Sequence, residues 1–226
     1  MPEKTESAKG AGNTKKRLTQ AERRSRSDKR LIATGMKLIG ARGSAATSMA
    51  EIGLSAGFSR GLLNERFGTK QNFLIAMVDQ IDRWFQEKLR DRLEGRQGLD
   101  AVRARIIAHL DGAQEHPAAL RSLYFLMTES LTVEPEILPR INKLEEGFRQ
   151  GFIAHLNEAK EAGEIPIDID CRQQAIIIVG MIRGLIHQAM QSGGRMDLDW
   201  AKEPLTGWID MILKAKGQAP SVWPAV

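Results

Sequence analysis

The 226-residue chain has one cysteine, one tyrosine and only 5% aromatic residues. A single thiol, Cys171, allows no internal disulfide and no thiolate metal cluster, and it fits a reducing compartment. No stretch approaches the roughly 20 apolar residues of a membrane span. The longest candidate, residues 175–190, is broken by Arg183, His187 and two glycines. The first residues are polar and charged, without the apolar core of a signal peptide. Strand signals are weak, because no turn dipeptide is flanked by alternating apolar residues. The glycine pair Gly57-x-x-x-Gly61 lacks the preceding strand of a nucleotide loop. The histidines, at 109, 116, 155 and 187, contain no His-x-x-x-His pair. The expectation is a cytoplasmic protein that is not an enzyme, with no metal, no cofactor and no membrane association.

Charge and helical periodicity are what the sequence does contain. The net charge of +5 is uneven: residues 1–90 carry +9 and residues 91–226 carry −4. A basic front on a mildly acidic body suits a polyanionic partner. Residues 1–18 have no apolar pattern and read as a basic disordered arm, which can still add phosphate contacts. From Leu31 onward, apolar residues recur at helical spacing. The pattern predicts an all-α protein of about nine helices: an N-terminal three-helix helix-turn-helix domain and a larger C-terminal helical half. The expected divisions are 1–18 for the arm, 19–69 for DNA binding, 70–216 for the helical second half and 217–226 for a tail.

The first helix spans about 20–42, with Gly43 as its stop. Thr47 or Ser48 then caps a helix to about Ser55, with Glu51 set for a capping box. Gly57 turns the chain, and Ser59 caps a second short helix to about Phe67. A long helix follows from Lys70 to about Leu93, and the last helix is expected over about 203–216. Two short helices about a tight turn are a helix-turn-helix in outline. Ile52, Ala56, Phe58, Leu63 and Phe67 would pack them together. Left outside are Ser59, Arg60, Gly61, Leu62, Asn64 and Glu65. Arginine can bond guanine, asparagine adenine, a carboxylate cytosine, and an apolar side chain a thymine methyl. Thr47 and Ser48 at a helix start, and Lys70 at the next, are placed to hold phosphates.

The run Gly43, Thr47, Ile52-Gly53, Ala56-Gly57-Phe58-Ser59, Gly61, Leu63, Phe67, Thr69-Lys70, Leu74 resembles the N-terminal domain of the tetracycline-repressor (TetR) family of bacterial transcription regulators. The resemblance spans roughly 25–75. It departs from the family's pattern at Asn64, where an aromatic residue is usual, and at Gly53, where alanine is usual. It implies an N-terminal DNA-binding domain and a C-terminal helical ligand-binding and dimerisation domain, in a repressor that binds a double-stranded palindromic DNA operator as a homodimer and is released by a small-molecule inducer. The alternative is a helical ligand- or protein-binding module with an incidental basic arm.

In the second half, the helix expected over 170–191 is apolar on two sides. Ile178, Ile182, Leu185 and Ala189 lie on one, and Ile176, Val179 and Ile186 towards another. With the helix of about 140–162 it would form a four-helix dimer seam; burial of both faces within one protomer is the competing arrangement. For the inducer, candidate lining residues are Met77, Trp84, His109, Tyr124, Phe125, Met127, Thr128, Phe152 and His187, a mixture suited to adaptable apolar ligands. The competing role for each is ordinary core packing. Arg183 needs a partner if buried, either an internal acid, with Glu129 the nearest guess, or an anionic ligand.

Overall fold

The computed structural model describes residues 19–193 and 195–214; the expected arm (1–18) and tail (217–226) lie outside the described residues. Among those residues the regular structure is helical, with no strand. The helices are α1 (Gln20–Arg42), α2 (Met49–Ser55), α3 (Leu62–Phe67), α4 (Lys70–Leu93), α5 (Gly98–Glu115), α6 (Pro117–Glu129), α7 (Leu138–Glu161), α8 (Cys171–Gln191) and α9 (Asp199–Lys214). A single 3₁₀ turn, Pro135–Ile137, leads into α7.

Local chemistry sets most boundaries. Thr19 and Glu22 form a reciprocal capping box at the start of α1. Thr69 caps α4 by accepting from the Asn72 amide. Asp170 caps α8 through the Arg172 and Gln173 amides. Pro117 opens α6, where a missing N–H costs nothing. Two expected starts move. Glu51 does not complete a capping box on α2, because its carboxylate pairs with Arg42 instead. Helix α9 begins at Asp199 rather than near residue 203. The Asp197 carboxylate accepts from the Asp199 amide at 2.9 Å, which nucleates a turn ahead of Pro204 and leaves that proline inside the helix.

Two apolar clusters fill the interior. One joins α1–α3 to α4, α6 and the start of α7 through Leu31, Ile39, Ile52, Leu63, Phe73, Leu74, Met77, Leu126 and Ile141. The other joins α5 and the rest of α7 to α8 and α9 through Val102, Ile106, Leu110, Phe152, Leu156, Ile178, Ile182 and Ile209. Each large apolar side chain buried this way contributes roughly 1.5–3 kcal/mol. Both clusters have residues on α7, which packs against each of them.

Two glycines allow close backbone approach. A Cβ on Gly40 of α1 would lie 2.7 Å from the Ala118 carbonyl oxygen of α6. One on Gly53 of α2 would lie 2.7 Å from the Ser59 carbonyl oxygen. Alanine at position 53 would force this turn to shift, which accounts for the departure seen in the sequence.

Candidate nucleic-acid interface and ligand pocket

Ser48 caps α2 by accepting from the Glu51 amide. Ala56 then ends that helix, and Gly57 takes φ +78°, a conformation that suits glycine. The turn folds back onto α2 through a 2.9 Å bond from the Phe58 amide to the Gly53 carbonyl. Ile52, Ala56 and Leu63 are buried, with Phe58 and Phe67 packed against them. The expected inner face of the helix-turn-helix is thus the observed one.

The outer face differs in detail. Ser59 does not cap α3: the helix starts three residues later, at Leu62, behind Gly61 and without a side-chain cap. Ser59 contributes its carbonyl, which accepts from the Leu62 amide at 3.3 Å. Ser59, Arg60 and Gly61 therefore sit on the turn, while Asn64 and Glu65 stand on the helix, and all five are exposed. Leu62 is half-buried against the core, so it is not the free apolar contact expected. Thr47 is also spent internally. It is 3% exposed, and its hydroxyl donates to the Gly43 carbonyl at 2.8 Å. Of the two hydroxyls before α2, only that of Ser48 remains at the surface.

Cations flank this face. Arg24, Arg26, Lys29 and Arg30 are exposed along the first turns of α1. Arg30 lies over the Phe58 ring at 5.6 Å, which places it beside the turn that carries Arg60.

Lys70 is not the freely presented phosphate ligand its position suggested. Its ammonium donates to the Ser44 carbonyl at 2.8 Å and pairs with Glu134 at 2.7 Å. Ser44 is fully buried. Its hydroxyl donates to Glu134 at 3.0 Å, and its amide donates to both Glu129 oxygens at 3.0 Å. These four residues tie the α1–α2 loop, the start of α4 and the end of α6 into one polar junction. Sequence reading assigned no role to Ser44 or Glu134, because contacts across 85 to 90 residues leave no local periodicity.

In the second half, α4–α8 surround an apolar pocket of about 50 Å³. Of the expected lining residues, Trp84, His109 and Tyr124 border it, together with Ile81, Phe85, His116, Leu120, Phe148, Ile182, Arg183 and Ile186. Tyr124 also borders an open crevice of about 520 Å³ between α6 and α8, where Phe125, Thr128 and His187 are found. The Tyr124 and His187 rings stack there at 6.3 Å. Met77 and Phe152 are fully buried core residues outside these pockets, and the Met127 sulfur accepts from Arg183. Arg183 pairs with Glu145, not Glu129, whose carboxylate is committed to Ser44. With an acid beside it, Arg183 is not a bare anion receptor.

His109 is held neutral by burial, its pKa pushed down to about 3. Its Nδ1 lies 2.9 Å from the Arg105 carbonyl. As pH falls below 6.5, the unfolded chain binds a proton that the folded one refuses. Stability should therefore drop by about 1.4 kcal/mol per pH unit from this residue until its folded pKa is reached. His109→Leu removes that contribution. Urea unfolding of both proteins between pH 7 and 4.5 should show the variant losing less stability; parallel losses would contradict the assignment.

Burial also raises the Cys171 thiol pKa, which disfavours the reactive thiolate. Among the described residues no helix is long and apolar enough to cross a membrane.

A family model described as "Bacterial regulatory proteins, tetR family" matches residues 31–77. A second, "BetI-type transcriptional repressor, C-terminal", matches residues 74–214. No curated protein matches the sequence. Among solved structures, a TetR transcriptional regulator from Chloroflexus aurantiacus superposes with a TM-score of 0.72 at 20% identity, covering 82% of this chain and 94% of that one. The fatty acid degradation regulator FadR from Bacillus halodurans gives 0.70 at 18%, covering 81% and 94%. FadR from Bacillus subtilis in complex with stearoyl-CoA gives 0.66 at 17%, covering 84% and 99%. The two family models together span both the helix-turn-helix and the helical half behind it: the chain belongs to the tetR family of bacterial regulatory proteins and is a DNA-binding transcriptional regulator.

Proposed function

We propose that the protein is a dimeric, ligand-responsive repressor that acts in the bacterial cytoplasm. Residues 19–69 read a palindromic operator, and residues 70–216 bind the inducer and the second copy. The observation that carries this reading is the exposed surface from Ser59 to Glu65, raised on a packed helix-turn-helix and linked through α4 to an apolar pocket. Arg60 and Asn64 supply base contacts, with Glu65 able to accept from cytosine. Ser48 and the α1 cations supply phosphate contacts.

The dimer seam moves from the helices first expected. Ile141, Leu144, Phe148, Phe152 and Leu156 of α7 are all buried within the protomer. On α8, Val179 and Ile186 turn inward with Ile178 and Ile182, while Ile176 and Ile177 remain about half exposed. Trp200, Trp208 and Met211 of α9 are more than half exposed. Gly180 and Gly184 leave the α8 backbone open to close approach. Exposed apolar surface on two adjacent helices supports a four-helix seam built from α8 and α9 of each copy.

Release follows from the connection between pocket and operator face. Ile81, Trp84 and Phe85 in the middle of α4 line the pocket, and Lys70 at its N-terminus holds the Ser44 junction. A ligand that favours a tilted α4 spreads the two recognition helices from their spacing of about 34 Å. It does so only to the extent that it binds the spread state more tightly.

Arg60→Ala tests the reading. It should cost roughly 1–3 kcal/mol of operator affinity and relax preference at one base position. Measured by fluorescence anisotropy on a set of single-base variants, an unchanged preference would remove Arg60 from the base-reading surface.

A further inference from the structure

Two residues of the pocket wall each carry a buried polar atom without a hydrogen-bond partner among the described residues. His109 Nδ1 faces the Arg105 carbonyl, which only accepts, so Nδ1 carries the ring proton and Nε2 presents a lone pair. Nε2 is buried and has no partner. The ring lies among Phe85, Phe148 and Phe152, at centroid distances of 4.4, 5.1 and 5.7 Å, and none of them has a polar hydrogen to give. The second atom is Arg183 Nε, also buried and without a partner. The terminal nitrogens of Arg183 are engaged by Glu145 and by the Met127 sulfur. Its guanidinium lies 5.6 Å from the centre of the Phe148 ring, so one phenylalanine touches both residues. Both residues line the pocket, whose surface is otherwise almost entirely apolar.

Taking the pocket as the inducer site, we propose that it binds the hydroxyl group of a neutral, otherwise apolar ligand: an alcohol or a phenol. The O–H donates to His109 Nε2, and the same oxygen accepts from Arg183 Nε–H. A hydroxyl supplies a donor and an acceptor on one atom, matching one buried acceptor and one buried donor. Other head groups match less well. A carboxylate meets the His109 lone pair, and the charge of Arg183 is already balanced by Glu145. An ammonium meets Arg183 and finds no carboxylate of its own. A ketone leaves Nε2 unpaired, and a hydrocarbon leaves both atoms so. The pocket's 50 Å³ takes the head group and the first carbons, and a larger body continues past Tyr124, which borders both spaces, into the α6–α8 crevice.

The test is a matched series of cyclohexanol, cyclohexanone, methylcyclohexane and cyclohexanecarboxylate, titrated into the full-length protein by calorimetry and followed by thermal unfolding. Cyclohexanol should bind about tenfold more tightly than methylcyclohexane, the gain expected of two hydrogen bonds made in a buried site. The ketone should fall between them, and the carboxylate should not bind. In His109→Leu the alcohol should lose its advantage over the ketone. Equal affinity for alcohol and hydrocarbon, tightest binding of the carboxylate, or no binding of any of the four at millimolar concentration would each overturn the proposal. The last result would mean that the pocket holds water alone. None of these readouts uses DNA. Failure of the operator-binding reading is detected separately, as loss of operator binding by unliganded protein.

Discussion

Gly53→Ala is expected to weaken operator binding by roughly 100-fold, about 2.7 kcal/mol. The added methyl meets the Ser59 carbonyl oxygen at 2.7 Å, a backbone atom that cannot swing aside. That carbonyl accepts from the Leu62 amide, so displacing it moves Arg60 and the first turn of α3 together. The Phe58 amide, bonded to the Gly53 carbonyl, is carried with them. Overpacking of this kind also costs about 1–3 kcal/mol in stability. The affinity loss should exceed what unfolding explains, because the side chains proposed to read bases are displaced even in molecules that remain folded. Anisotropy with labelled operator, combined with circular dichroism of the free protein, separates the two effects. Unchanged affinity would show that the turn relaxes freely and that Arg60 is not positioned through Gly53.

Gly40→Ala should act on the connection between the two halves. Its methyl would lie 2.7 Å from the Ala118 carbonyl oxygen and 3.2 Å from the Ser122 amide nitrogen, both backbone atoms of α6. Relief requires α1 and α6 to separate along their crossing. The expected cost is about 3 kcal/mol, at the upper end for an inserted methyl. Helix α6 also carries Glu129, which holds the Ser44 amide, so the polar junction should loosen as well. In urea, the helix-turn-helix should then unfold ahead of the second half. Trp84, Trp200, Trp208 and Trp223 all lie outside residues 19–69. Tryptophan fluorescence therefore has no probe within the helix-turn-helix itself, while circular dichroism reports both halves. Coincident transitions at the wild-type midpoint would contradict this account of the α1–α6 contact.

Local features made much of this fold legible in the sequence. The limits of α1, α2 and α4 follow from caps and glycine stops, and the expected inner face of the helix-turn-helix is the one that packs inward. What escaped was set by distance along the chain or by backbone approach. The α3 start was misplaced because a serine before a helix signals a cap, whereas here the Gly53 contact draws the turn in and uses the Ser59 carbonyl. Lys70 and Thr47 have the residue types of phosphate ligands, yet Glu134 and the Gly43 carbonyl claim them first. Periodicity shows that α7 and α8 are amphipathic, but not which stripe stays inside the protomer. The pocket residues nearest the mark, Trp84, His109 and Tyr124, are bulky groups facing a gap between helices; Met77 and Phe152 have the same chemistry but face a filled one.

The most direct test of the central claim, that the surface from Ser59 to Glu65 reads bases in the major groove of a two-fold site, is selection of bound DNA from a random pool by the full-length protein. The expected product is a palindrome whose half-site centres lie about one helical turn apart, with Arg60→Ala altering the same position in both halves. Enrichment of no common sequence, or of a site unaffected by Arg60→Ala, would contradict it.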